Sequence, residues 1–433
     1  MPGRAVADRS PAPDLARGAV LLLIAVANAH TFVTDRGIGV RGYPRDLTGA
    51  DGLVAAVQLV FVDGRAYPMF ALLFGYGAVT LARRRATGDP DEGAALVRRR
   101  GLALFAIGAA HAVLLWSGDV VAAYGLLAVL LAGLLVRGST TALVATAAGT
   151  VTVACLLHLP VALTDADVAS SSPSLVEPSV FAAAADRFGE WLFGYLPVNA
   201  LALAGAVAAG VLLARAGWLD DPVRHRRPLT WLAAAGAGAG IAGGLPLALV
   251  AAGVWTPSLG PALLAGGAHA VSGYAAGAGY AAIAGLVAGR WARSGSRTTR
   301  AGAGSPGTDA GASSTHATVP IPVSPAAGAH TPAGAGPGPV GRALLATGQR
   351  SLSAYLAQSV AFVALFPAWT LGLGSGLPVW AATLCGIGVW LVSVLVAAAS
   401  ARAGWRGPAE VALRRLTDGR GRAARRPDAP EPG

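Results

Sequence analysis

The chain has 433 residues, 54% of them hydrophobic and only 13% charged, with a formal net charge of +11. Repeated apolar runs in such a composition describe a polytopic membrane protein and exclude a water-soluble core. They also exclude a nucleic-acid surface, because no aromatic-interleaved basic patch occurs and the basic residues, all arginine, gather beside the apolar runs.

Residues 1–14 form a polar, proline-containing tail, and the first apolar run, Leu15 to Val33, is entered through Arg17. Ala27-Asn28-Ala29 mimics a small-x-small cleavage site, so a signal peptide competes with the preferred reading of an uncleaved first helix. A loop from Thr34 to Gly52 carries three arginines and three aspartates. Asp63-Gly64-Arg65 breaks the next run, so Leu53 to Val62 reads as interfacial and Ala66 to Ala82 as crossing. Arg83 to Arg85 and Arg98 to Arg100 bracket a short loop before a hairpin: Gly101 to Trp116 outward, Ser117-Gly118 as the turn, Val120 to Val136 back. Later runs are Ala142 to Leu163, Trp191 to Ala214, Leu229 to Val254, Pro261 to Ala288, Leu352 to Leu371 and Pro378 to Ala399. The fold class predicted is all-α, a membrane bundle of about ten transmembrane helices.

Placing the Arg83 to Arg100 loop inside puts both termini in the cytoplasm. Of the 33 arginines only Arg36, Arg41, Arg45, Arg65 and Arg187 then fall outside, which satisfies the positive-inside rule. Residues 294–339 are Gly, Ala, Ser, Thr and Pro without an aromatic residue, and read as a disordered cytoplasmic linker. The expected organisation is a tail (1–14), a bundle of eight spans (15–293), the linker (294–339), a C-terminal hairpin (340–417) and a basic tail (418–433). Gly273 to Gly277 and Gly285 to Gly289 provide close packing within the bundle. Cys155 and Cys385 fall in apolar runs and read as small core residues.

Candidate chemistry follows from polar residues at membrane depth, each of which needs a partner. His30, His111, His158 and His269 fall in the outer half, level with Asp63, Arg65, Asp119 and Glu190, where a base and an orienting carboxylate could meet. His111 lies level with Tyr124 across the hairpin and reads equally as a functional group or as that tyrosine's structural partner. Asp119 opens the returning helix and reads as an N-cap or as a catalytic carboxylate. His158 reads as interfacial, Glu190 as a solvated anchor, and Asp63 and Arg65 as neutralising each other. No histidine pair has the i, i+4 spacing of a helical metal site, so no metal is expected, and no P-loop, nucleophile elbow or dinucleotide motif occurs.

Several segments together resemble the bacterial multi-pass YeiB-like family, known as domain of unknown function 418. They are Asp14-Leu-Ala-Arg17-Gly18 with Asn28, the stretch from Asp63 through Phe74-Gly75 to Gly77, Gly108-Ala-Ala-His111 with Trp116-Ser-Gly-Asp119 and Tyr124, Gly341-Arg342, Ser351 through Tyr355 to Gln358-Ser359, and Gly407-Pro408-Ala-Glu410 with Arg414-Arg415-Leu-Thr417. The Arg-Gly opening, the intramembrane Asn and the Asp to Phe-Gly second span are similar to membrane acyltransferases of the heparan-glucosaminide N-acetyltransferase type. That likeness implies transfer of an acyl group from cytosolic acyl-CoA to an extracytoplasmic sugar. In those enzymes a histidine between the first span and the aspartate acts, and here only His30 lies in that interval, further from Asp63 than in their pattern.

The leading reading is an acyltransferase of the cell membrane with His111, His30, Asp119 and Asp63 as catalytic candidates. Arg17, Asn28, Arg65, Tyr124, His269, Tyr355 and Gln358 are its substrate-binding candidates. It would bind no resident cofactor; acyl-CoA would be the donor substrate, and a glycan or small molecule the acceptor. A small-molecule transporter and a non-catalytic membrane partner are the alternatives.

Overall fold

The computed structural model describes residues 10–86, 89–302 and 336–418. Its helices are α1 (Ala12–Ala29), α2 (Gly49–Phe61), α3 (Ala66–Arg85), α4 (Pro90–Leu114), α5 (Val121–Leu130), α6 (Ala132–Arg137), α7 (Thr140–His158), α8 (Val180–Gly189), α9 (Leu196–Ala216), α10 (Arg226–Ala251), α11 (Leu259–Gly302), α12 (Pro339–Gln349), α13 (Ser351–Leu365), α14 (Val379–Arg402) and α15 (Pro408–Asp418). No strand forms among the described residues, so the protein is an all-α polytopic bundle.

Among the described residues seven segments are long and apolar enough to cross a membrane: Ala12–Phe32, Gly49–Arg85, Thr140–Leu163, Val180–Ala216, Arg226–Ala251, Leu259–Arg293 and Val379–Arg402. The other predicted runs are helical but shorter than expected. α4 leaves only Gly101 to Leu114 beyond its arginine triplet, the run from Val120 breaks at Leu131 into α5 and α6, and α13 stops at Leu365, two residues before Pro367. The break after α2 lies where expected, with Gly64 at φ +74 reversing the chain. Most of the segment read as a linker lies outside the described residues.

The outer surface explains why these helices need a bilayer. Phe181, Phe193, Leu264, Leu384 and Leu395 are all more than half exposed; on a soluble protein such a surface would be an aggregation hazard, whereas lipid tails cover it without loss. Inside, helices touch through glycine. A Cβ on Gly18 would strike the Leu344 carbonyl and one on Gly348 the Asp14 carbonyl, so α1 and α12 meet backbone to backbone. Gly273 and Gly277 likewise face Gly64 and Met69, close packing inside the bundle as expected.

The two ends of the bundle differ. At one end Arg83 donates to the Ala214 carbonyl and Arg85 pairs with Asp418, among many further arginines. At the other, loops interlock: Thr34 bridges to Ser375, Ile38 to Ala166, and Arg36 pairs with Asp51 and Asp46. Burial opposes the Arg36 charge, yet those two carboxylates outweigh it and hold its pKa above the usual arginine value.

Candidate functional site

A cavity of about 460 Å³ opens at the arginine-rich end and runs inward between α1, α3, α4, α5, α13 and α15. Arg17, Arg84, Arg85, Arg100 and Arg414 stand at its mouth, Phe70, Phe74 and Tyr124 along its wall, and Val120, Val121 and Tyr355 at its inner part. The mouth's carboxylates are largely committed: Asp14 pairs with Arg17 at 3.0 Å, Asp418 with Arg85 at 2.8 Å, and Glu410 accepts the backbone amides of Leu352 and Ser353. No carboxylate comes within ion-pair distance of Arg84, Arg100 or Arg414 among the described residues. Burial and the nearby Arg17 and Arg85 charges push Arg100 down to about 10, against the opposing pull of Asp418 and Glu410, so it stays protonated at neutral pH.

Directly behind the inner wall lie His111 and Asp119 of the hairpin. α4 is started by Asp89, whose carboxylate accepts the Asp91 amide, with Pro90 in the first turn, and it carries His111 into its last turn. Gly108 lets the start of α5 come against α4, since a Cβ there would strike the Ala122 amide and crowd Asp119. His111 Nδ1 consequently lies 2.8 Å from Asp119 Oδ2, ion-pair distance though out of line for a hydrogen bond, with both side chains buried. Asp119 Oδ1 accepts the Ala122 amide at 2.6 Å, so one carboxylate both caps α5 and faces the imidazole. The ring beside His111 is Tyr355, 5.2 Å between centroids.

Tyr124 is not the structural partner of His111. Its hydroxyl reaches the Tyr67 carbonyl at 3.4 Å and its ring stacks on Phe74, so the tyrosine faces α3. His111 Nε2, Tyr355 Oη and Gln358 Oε1 are buried without hydrogen-bond partners. Gln358 gives its amide to the Leu21 carbonyl at 3.5 Å.

His30 and Asp63 belong to a separate cluster at the other end. His30 stacks on Tyr43 with centroids 3.9 Å apart. The Tyr43 hydroxyl donates to Asp63 Oδ2 at 2.5 Å, Gln58 Oε1 lies 2.9 Å away, and the Gln58 amide donates to Thr383 at 2.6 Å. Burial and Asp63 raise the Tyr43 phenol well above its usual value, so it remains the donor. Arg65, fully buried, does not neutralise the Asp63 carboxylate. It donates to the Asp63 backbone carbonyl and to the Gly240 carbonyl at 2.9 Å, and sits 2.7 Å from His269 Nε2. No hydrogen bond, ion pair or ring contact joins this cluster to His111 and Asp119 among the described residues. Asn28 is half-buried and outside the cavity lining, whereas Arg17 lines it and donates to the Leu73 carbonyl.

Two further expectations change. Glu190 is no solvated anchor: Ser117 donates to Oε2 at 2.5 Å and Ser174 donates through both amide and hydroxyl, so it ties the hairpin turn to the following loop. Cys385 is exposed rather than in a core. His158 is half-buried, with Nδ1 2.8 Å from the Ala154 carbonyl. The structure also adds Glu410 and Arg414, which sequence reasoning treated as motif residues; the only signal for their convergence with Arg100 was their shared side of the membrane.

An all-α bundle with lipid-facing apolar surfaces and a cavity entered from one end is an integral, multi-pass membrane protein. The family model described as protein of unknown function (DUF418) matches residues 213–303 and 331–420. The segments noted from Asp14 to Tyr124 lie outside the matched residues. Over 119 residues the chain is 30% identical to the uncharacterised protein YxaH of Bacillus subtilis (strain 168), an alignment covering 26% of this chain and 29% of that relative. The chain thus aligns with less than a third of that relative's length. No solved structure matches.

Proposed function

We propose that the protein is an acyltransferase of the cell membrane, taking an acyl group from a cytosolic, phosphate-bearing donor such as acyl-CoA. The observation that carries this reading is the arginine-mouthed cavity, whose inner part is lined by Val120 and Tyr355, the neighbours of a buried histidine–carboxylate pair. Arg84, Arg100 and Arg414 would hold the donor's phosphates, and the apolar wall of Phe70 and Phe74 its acyl end. Asp119 would favour the imidazole proton on Nδ1, leaving Nε2 to accept the proton of an acceptor hydroxyl or amine as its oxygen or nitrogen attacks the thioester carbonyl. The carbon–sulfur bond then breaks and the leaving thiolate takes a proton. The acceptor would be an extracytoplasmic glycan or small molecule arriving from the loop end. Ten spans, cytoplasmic termini and the five-part chain organisation belong to the same reading, supported by the arginine bias.

Binding of coenzyme A to the purified protein in nanodiscs tests it. Calorimetry should register binding that weakens with salt, and Arg100→Gln or Arg414→Gln should weaken it at least fivefold with folding intact. Absence of coenzyme A binding, together with uptake of a small molecule into proteoliposomes that depends on His111, would replace the acyltransferase by a transporter.

A further inference from the structure

α13 has a second face. Ser351, Leu352 and Tyr355 line the cavity, while Ser353, Ala357 and Ala361 look the other way, across a groove of about 550 Å³ toward Gly388, Val392 and Ser393 of α14. Its walls are apolar and mostly small side chains. Arg350, Trp405 and Arg406 close one end, and Leu365 lies toward the other. Between Ser353 and Leu365 α13 rises about 18 Å, against about 15 Å for the hydrocarbon of one leaflet. The groove is therefore one leaflet deep, and α14, largely exposed along its length, leaves it open to lipid rather than to water.

The charged end identifies the occupant. Arg406 is exposed and makes no ion pair among the described residues. Arg350 donates to the Ala346 and Trp405 carbonyls and keeps a buried Nε without a partner. Glu410, the nearby carboxylate, is occupied by the Leu352 and Ser353 amides and the Ser353 hydroxyl. Trp405, 70% exposed, stands where an indole meets the headgroup layer. We propose that this groove is a binding site for an anionic phospholipid of the leaflet at the arginine end, one acyl chain between α13 and α14 and the phosphate between Arg350 and Arg406. The inference is independent of acyl transfer, since none of these side chains reaches His111.

The test uses the full chain exchanged into vesicles of equal phosphatidylglycerol and phosphatidylcholine, then native mass spectrometry. The expected result is phosphatidylglycerol retained in preference to phosphatidylcholine. Gly388→Phe should abolish retention: a Cβ at Gly388 meets open space, so the ring enters the groove without displacing protein. Arg406→Gln should lower the preference about fivefold, the factor corresponding to about 1 kcal/mol per arginine at an anionic surface. Equal retention of the two lipids, or unchanged retention in Gly388→Phe, overturns the proposal. Should Gly388→Phe fail to fold, Arg406→Gln, altered at an exposed position, decides alone.

Discussion

Asp119→Asn separates the two things this carboxylate does. Oδ1 caps α5 through the Ala122 amide and Oδ2 faces His111 Nδ1. Asparagine caps about as well as aspartate, within a few tenths of a kcal/mol, so the variant should fold with near wild-type stability. With the asparagine oxygen held by the Ala122 amide, its NH₂ points at Nδ1, which must then accept. The imidazole proton moves to Nε2, and the base is lost. A positioned base contributes about 10² to 10⁴-fold, so acyl transfer from labelled acyl-CoA in proteoliposomes should fall by that factor while the thermal midpoint in detergent barely moves. Asp119→Ala should lose activity and also about 1 kcal/mol or more from the missing cap. Wild-type transfer by Asp119→Asn, at equal amounts of folded protein, would refute the role given to the pair and leave Asp119 as a cap only.

Tyr43→Phe removes a donor to a buried carboxylate and should cost about 1.5–3 kcal/mol, read as a lower thermal midpoint; an unchanged midpoint would mean that Asp63 finds water instead. Gly348→Leu drives a side chain into the Asp14 carbonyl and should cost at least about 1–3 kcal/mol by overpacking, visible as loss of monodisperse protein on gel filtration. In a background lacking Cys155 and Cys385, a membrane-impermeant thiol reagent should label Asp167→Cys in intact cells but not Asp221→Cys, and the reverse pattern would invert the topology.

Which features could be read from the sequence depends on how far apart along the chain the interacting residues lie. The hairpin that brings His111 near Asp119 was readable from the Ser117-Gly118 turn, although the partner read across it was Tyr124 and not Asp119. The approach of Tyr355 was not readable, since it arrives on α13 from far along the chain and no spacing encodes that approach. Tyr124 failed as a partner for a related reason. Register counting across a hairpin gives depth but not facing, and Tyr124 faces α3, with its hydroxyl on the Tyr67 carbonyl and its ring on Phe74. The Asp63–Arg65 neutralisation failed because adjacent charges at a helix break need not face each other: one found Tyr43 from a loop, the other His269 and the Gly240 carbonyl.

The outer and inner clusters are both buried and polar, and what distinguishes them is how completely their groups are satisfied and what lies beside them. From His30 through Tyr43, Asp63 and Gln58 to Thr383, each step is a stacked ring or a hydrogen bond, the pattern of a staple that fixes a loop onto the helix ends. At the inner site His111 Nε2, Tyr355 Oη and Gln358 Oε1 lack partners. An unsatisfied buried polar atom costs about 1–3 kcal/mol. The outer cluster has such atoms too, at His30 Nδ1, His269 Nδ1 and Arg65 Nε, but the arginine-mouthed cavity borders only the inner group, through Tyr355. An entering polar group can repay that cost where it can reach the atoms, and of the inner group the cavity touches Tyr355. His111→Gln tests this directly. An amide still satisfies Asp119 but is not a base, so folded yield should persist while transfer is abolished; a fall in folded yield would assign His111 to the scaffold and return the search to His30 and Asp63.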